Sequence, residues 1–138
     1  MASTTAFCNS AKQDFLNGLN LSTNTYKMAL YTSTAVNDKT TTVYSTTNEI
    51  TGTGYTAGGV TMAGFTVSIS TDTAYIDWTT DPSWTTATIT AASCLIYNSS
   101  VSNHAVCVID FGGNFTATAG SFTVQLPAPG LTAIIRLA

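Results

Sequence analysis

The chain has 138 residues, of which 44% are hydrophobic and only 8% are charged, and its formal net charge is −3. This length fits one domain with a core large enough to fold without staples, but ordinary soluble domains carry about 25% charged residues. The negative charge argues against nucleic-acid binding, and no apolar run is long enough to span a bilayer. A surface of Thr, Ser, Asn and Gly costs little to desolvate, which suits a protein packed against others in an assembly or one exposed to harsh solvent.

Residues 4–19 predict a helix. Phe7, Ala11 and Phe15 recur at four-residue spacing, Leu16 widens this apolar stripe, and Gly18 supplies a stop signal. In the simpler interpretation this helix covers one face or end of the domain, because an apolar stripe is usually a core face. In the alternative it is an arm that reaches a neighbouring subunit. The segment has no basic and apolar leader pattern, so we expect no secretory signal.

The remainder of the chain predicts short strands, at residues 25–31, 40–45 (a Thr-rich candidate for a short edge strand), 60–69, 74–78, 85–90, 92–97, 104–111, 122–126 and 132–137. Within the third of these the alternation slips at Ala63-Gly64, which predicts a β-bulge. The regular spacing predicts a mainly β chain: a single-domain antiparallel β-sandwich or barrel of about eight strands with one N-terminal helix. The domain comprises residues 1–138, helical over 1–19 and β over 25–138.

A glycine-rich stretch, residues 47–59, interrupts the strand pattern and carries the rare charge Glu49. Tyr55 lies between two groups of glycines, which allow positive φ and close backbone approach. One interpretation is a structured turn that fixes how the first part of the chain joins the β domain. The alternative is a loop that presents Tyr55 to a partner. Phosphate binding is disfavoured, because a strand pattern follows instead of a helix.

No set of residues predicts catalysis. His104 is the single histidine and lies at a turn, where a structural role is far commoner than a catalytic one. Asp77 and Asp110 lie within strand patterns and are the acids of most interest, although structural acids are the rule. There is no calcium-binding loop pattern. We therefore expect no enzymatic activity, no cofactor and no metal site.

The three cysteines, Cys8, Cys94 and Cys107, are odd in number and form no C-x-x-C pair. This argues against a disulfide framework or a zinc site and predicts buried free thiols. A bridge between Cys94 and Cys107 is the alternative, since they lie in neighbouring predicted strands.

Several aromatic residues would suit a sugar-stacking platform on a β-sandwich. Trp84 follows the turn at Asp81-Pro82 and is the best candidate for an exposed ring. Aromatic residues at strand spacing are usually core, however. A carbohydrate-binding module therefore stands as an alternative function.

The order of features also carries a resemblance. Its most specific part is Asn48-Glu49 followed by Gly54-Tyr55-Thr56-Ala57-Gly58-Gly59, and the matching segments cover nearly the whole chain. They include residues 9–18, 26–33, 44–50, 92–98, 108–112, 122–127 and 133–136. Together they resemble a family of small virion proteins of tailed bacteriophages.

This resemblance implies a structural virion role, for which we favour a capsid decoration (cement) protein that binds the outside of the head shell and stabilises capsomer junctions. The implied partners are the major capsid protein and further copies of the chain, as a homotrimer. The implied location is the capsid surface, after synthesis in the host bacterial cytoplasm. A neck, tail or head-fibre component is the alternative. Candidate interface residues are Phe7, Phe15, Glu49, Gly54, Tyr55, Gly58 and Gly59. No catalytic residues are implied.

Overall fold

The computed structural model describes residues 2–19 and 22–137, so the two ends of the predicted domain, residues 1 and 138, lie outside it. The chain is mainly β, with 48% strand and 6% helix, in two antiparallel sheets with one short N-terminal helix, which confirms the predicted fold class. The elements are β1 Ala6–Phe7, α1 Asn9–Leu16, β2 Tyr26–Tyr31, β3 Val60–Thr61, β4 Phe65–Ser70, β5 Thr73–Trp78, β6 Ser83–Asn98, β7 His104–Thr123 and β8 Ile135–Leu137.

The larger sheet has the strand order β1-β7-β6-β2-β3, and the smaller has the order β4-β5-β8. Aromatic rings hold the two sheets together. Tyr26 of the larger sheet stacks on Phe65 at 5.1 Å between ring centroids and meets the edge of Trp78 at 5.3 Å. The arrangement is therefore sandwich-like, with aromatic contacts between the layers.

The centre of the larger sheet is buried on both faces. Residues 91–98 of β6 are buried without interruption. One face meets the smaller sheet, and the long connection of residues 32–59 covers the other. Tyr97 stacks on Tyr44 of this connection at 4.6 Å, and the Tyr31 hydroxyl donates a 2.6 Å hydrogen bond to the Ser45 carbonyl. The sequence of a strand that is covered on both faces is a nearly continuous apolar run, instead of an alternation of apolar and polar residues.

The predicted helix is too long at its N-terminal end. Ala6 and Phe7 are not helical, because their backbone pairs with Val108 and Cys107 of β7. The helix begins only at Asn9, and the stop signal is confirmed, since Gly18 lies just beyond it with a φ of +76°.

The predicted stripe is also wrong in part. Leu16 is 91% exposed, whereas Asp14 is buried. Cys8 and Ala11 are fully buried in the core of their own domain. The N-terminal segment therefore covers the domain, as the simpler interpretation holds.

Several strand boundaries differ from the prediction. Residues 40–45 form only an isolated bridge from Val43 to His104, and the strand predicted there is wrong. The strands predicted at 85–90 and 92–97 are one continuous strand, β6. The register of its pairing with β7 shifts between Ala91 and Ser93, near the predicted break. In the same way β7 runs through residues 112–114 to Thr123, so residues 124–126 and 132–134 lie outside strands.

The parity slip at Ala63-Gly64 is not a bulge. It is the point where the chain leaves β3 in the larger sheet and enters β4 in the smaller one. Gly64 has a φ of +82°, and a Cβ there would overlap the hydroxyl of Thr79. The glycine is required for the chain to change sheets.

Candidate interaction surface

Glu49 is the centre of a hydrogen-bond network that ties residues 44–58 together. Its Oε2 accepts a 2.7 Å bond from the Tyr44 hydroxyl, and its Oε1 accepts bonds from the Tyr55 hydroxyl at 2.6 Å and the Gly58 N–H at 2.7 Å. The Tyr97 hydroxyl donates a 2.7 Å bond to the Gly58 carbonyl. A carboxylate that accepts several short bonds is a strong structural anchor.

The tyrosines around Glu49 stay protonated and act as donors. Burial, and secondarily the charge of Glu49, raises the pKa of Tyr97 to about 12. Burial followed by the bond to Glu49 raises the pKa of Tyr55 further above its ordinary value. These phenols therefore remain hydrogen-bond donors at neutral pH.

Two glycines of this stretch lie directly against neighbouring strands. A Cβ on Gly59 would overlap the carbonyl oxygen of Met28 in β2, and one on Gly54 would come within 2.9 Å of the Ala87 Cα in β6. Both have positive φ. The glycines let the loop approach the sheet closely, which is the structured-turn interpretation of the sequence.

The predicted interface residues fall into two separate groups. Glu49, Tyr55, Gly58 and Gly59 bond or pack internally, and the half-buried Tyr55 ring lies 6.0 Å from Trp84. Phe7 and Phe15 lie elsewhere, with ring centroids 5.9 Å apart. Both phenylalanines line an open groove, whereas Gly54 lies on the exposed side of the glycine-rich loop.

This groove, which we call the apolar groove, lies between α1 and the smaller sheet and has a volume of about 710 Å³. It is lined by Phe7, Lys12, Phe15, Leu16, Gly18, Leu19, Ser22, Thr23, Val67, Ala74, Tyr75, Ile76, Ile135 and Leu137. Among these residues Lys12 is the charged one, and its Nζ lies 5.9 Å from the centre of the Phe7 ring. The wall is otherwise apolar or uncharged, so binding there would desolvate few charges.

The apolar groove exists because the smaller sheet has two different faces. Strand alternation puts Phe65, Val67 and Ile69 of β4 on one face and hydroxyl residues on the other. Phe65 packs on Trp78 in the interior, but Val67 is 64% exposed and Ile69 is 67% exposed. The larger sheet thus covers only one end of the apolar face, and the other end is left as an exposed apolar patch.

His104, Asp77 and Asp110 each have different hydrogen-bond partners. His104 Nδ1 lies 2.8 Å from Asp14 Oδ2, an ion pair or hydrogen bond that ties α1 to β7. Asp77 is fully buried and its Oδ1 accepts the Trp78 N–H at 2.8 Å; burial raises the pKa of its carboxyl. Asp110 Oδ1 accepts the Gly112 N–H, two residues further along β7, at 3.1 Å. Across residues 2–19 and 22–137, no three His, Cys, Asp or Glu side chains form a metal-binding group.

The cysteines are free and buried, as the sequence predicts, so the alternative bridge between Cys94 and Cys107 is absent. Burial raises the pKa of the Cys8 and Cys94 thiols to about 12. Thiols with such values carry little thiolate and are poor nucleophiles at neutral pH.

The prediction of an exposed Trp84 ring is wrong. The side chain is 4% exposed and packs between Tyr55 and Phe122, which is 6.1 Å away. Trp78 is 2% exposed. Both indole rings belong to the core, so neither is available to stack on a sugar.

Comparison with known proteins identifies no relative: no protein-family model, curated protein or solved structure matches the chain. In the described part of the chain, no helix has the length and apolar character needed to cross a membrane.

Sequence reasoning missed the strand side of the apolar groove. Val67 and Leu137, which line the groove, have the sequence pattern of ordinary core positions in short strands, because each follows a polar residue. The available signal is that β4 and β5 form a hairpin at the edge of the domain, where a face is easily left uncovered.

Proposed function

We propose that this chain is a structural protein of a tailed-bacteriophage virion, specifically a capsid decoration protein that binds the outside of the head shell and stabilises capsomer junctions. The sequence resemblance around Asn48-Glu49 and residues 54–59 supports the virion role. The structural observation that carries the proposal is the apolar groove, which offers a contact surface with few charges to desolvate.

The groove offers several exposed apolar side chains for docking. Leu16 is 91% exposed, and Val67 and Leu137 are 64% and 66% exposed. Burying a side chain of this size completely stabilises a complex by about 1.5–3 kcal/mol. A ligand that binds only the assembled shell shifts the equilibrium toward that shell. Many copies of a modest contact therefore stabilise the particle.

A neck, tail or head-fibre component of the same virion is the second candidate, because the same groove would serve a contact at one vertex. A carbohydrate-binding module has lost its main support, since Trp78 and Trp84 are buried.

Co-sedimentation with mature capsids stripped of this protein tests the proposal. The purified chain is titrated until binding saturates, and bound copies are counted per particle. Saturation on the order of hundreds of copies is expected for a protein that repeats over a symmetric shell. Saturation at about a dozen copies or fewer would indicate a vertex or tail component. No binding would overturn both virion assignments.

A further inference from the structure

The outer edge of β4 is open to strand pairing. In the order β4-β5-β8 this strand is terminal, and its pairing with β5 runs without a register shift from Phe65–Trp78 to Ser70–Thr73. No described residue pairs with its other side. Every second residue of such a strand directs its N–H and C=O away from the neighbour. Six regular residues therefore present a template for another strand.

Several other sheet edges in the described chain are protected against pairing. β1 and β3 have two residues each, and β8 has three residues including Arg136. The outer side of β7 is interrupted by Gly112 and Ala119, whose φ values are +79° and +47°. Short strands, charges and backbone irregularities are the devices by which proteins prevent edge pairing. The sequence of β4, Phe-Thr-Val-Ser-Ile-Ser, contains no charge, proline or glycine.

The unprotected strand is complementary to itself. Apolar Phe65, Val67 and Ile69 alternate with Thr66, Ser68 and Ser70. When two such strands pair antiparallel about a two-fold axis, apolar side chains lie opposite apolar ones, and hydroxyls lie opposite hydroxyls. Both kinds of cross-strand pair are favourable. Because the strand has no charge, a second copy meets no like-charge repulsion.

We infer that β4 pairs antiparallel with β4 of a second copy, which joins the two smaller sheets into one six-stranded sheet. Val67 and Ile69 of each copy then lie beside those of the other, and the two apolar grooves become parts of one continuous face. The contact is isologous and closes as a dimer. It differs from the homotrimer that the sequence resemblance implies, which needs a heterologous contact.

Size-exclusion chromatography with light scattering tests this pairing, with the chain loaded at about 0.01–1 mM, where weak self-association is visible. The native chain is expected to have a dimer mass at the upper concentrations. Ser68→Lys is expected to be monomeric, because two ammonium groups meet near the two-fold axis. Ser68→Glu behaves likewise, and an equimolar mixture of the two variants forms the dimer again. Ser33→Lys, a matched change at an exposed loop residue, leaves the dimer intact.

Three outcomes would overturn the inference: a native chain that stays monomeric at every concentration, a trimer mass, or a dimer that persists in Ser68→Lys. Circular dichroism verifies that each variant is folded. Ser68 does not line the apolar groove, so binding of Ser68→Lys to capsids is measured separately. A failure of dimerisation is thereby distinguished from a failure of the proposed capsid role.

Discussion

The Tyr55 hydroxyl donates a 2.6 Å hydrogen bond to Glu49 Oε1 and accepts a 3.0 Å bond from the Leu30 N–H. One phenol therefore connects the acid of the glycine-rich loop with the backbone of a central strand. Because the Gly58 N–H donates to the same carboxylate oxygen, the loop is held at two points. The distinctive sequence of residues 47–59 is explained by this anchoring, which positions the connection over the sheet.

Replacing Glu49 by Ala should destabilise the fold by about 2–4 kcal/mol, since three donors lose a charged acceptor at once. Glu49→Gln keeps one acceptor oxygen and should lose less. Urea unfolding followed by tryptophan fluorescence measures both. If Glu49→Ala stays within about 0.5 kcal/mol of the native chain, the range of ordinary surface changes, the network is not an anchor.

Gly59→Ala and Gly112→Ala form a matched pair. Both glycines have a left-handed φ, +76° and +79°, but only Gly59 lies against another strand, whereas nothing lies within 4 Å of a Cβ on Gly112. The backbone strain alone should cost about 1–2 kcal/mol in Gly112→Ala. Gly59→Ala should cost at least about 2 kcal/mol more, because its methyl group overlaps the Met28 carbonyl. Equal losses of unfolding free energy in the two variants would contradict this packing.

Asp77→Asn should change how stability depends on pH. Burial raises the pKa of the Asp77 carboxyl in the folded chain above its unfolded value of about 3.9. The folded state then holds the proton more strongly, so stability falls as pH rises from the unfolded toward the folded pKa. Asn removes this dependence and keeps an acceptor for the Trp78 N–H.

Unfolding free energies of both chains between about pH 3 and 8 measure the effect across the unperturbed pKa. We expect Asp77→Asn to gain stability relative to the native chain as pH rises. A difference that stays constant over this range would show that Asp77 titrates normally.

The sequence predicts an element accurately when its position depends on residues close together in the chain, and less accurately when it depends on distant ones. The prediction of β5 at 74–78 is accurate to within one residue, because its alternation is unbroken, whereas β4 is predicted only as the second half of a strand at 60–69 that the structure divides into β3 and β4. The N-terminal helix is predicted to begin too early because Phe7 lies four residues before Ala11, the spacing of one helical face. In the structure the backbone of Phe7 pairs with β7 instead. The sequence prediction divides β6 and β7 into shorter strands, because one bulged strand and two short strands have the same sequence pattern.

The site was less predictable than the fold. Whether Trp84 is exposed depends on Tyr55 and Phe122, which are distant in sequence. Asp14 is buried because it meets His104 on another element. The apolar groove depends on which part of a strand face the larger sheet leaves uncovered, and this is a property of the assembled layers rather than of any one segment.

The proposal that the apolar groove joins this protein to the head shell is tested most directly by comparing Leu16→Lys with Leu131→Lys in capsid binding. Leu16 lines the groove and is 91% exposed, and Leu131 is 55% exposed outside it. Neither change should disturb the fold. Leu16→Lys should weaken capsid binding by about tenfold or more, as loss of a buried contact does, while Leu131→Lys binds like the native chain. Native affinity and copy number in Leu16→Lys would contradict the account.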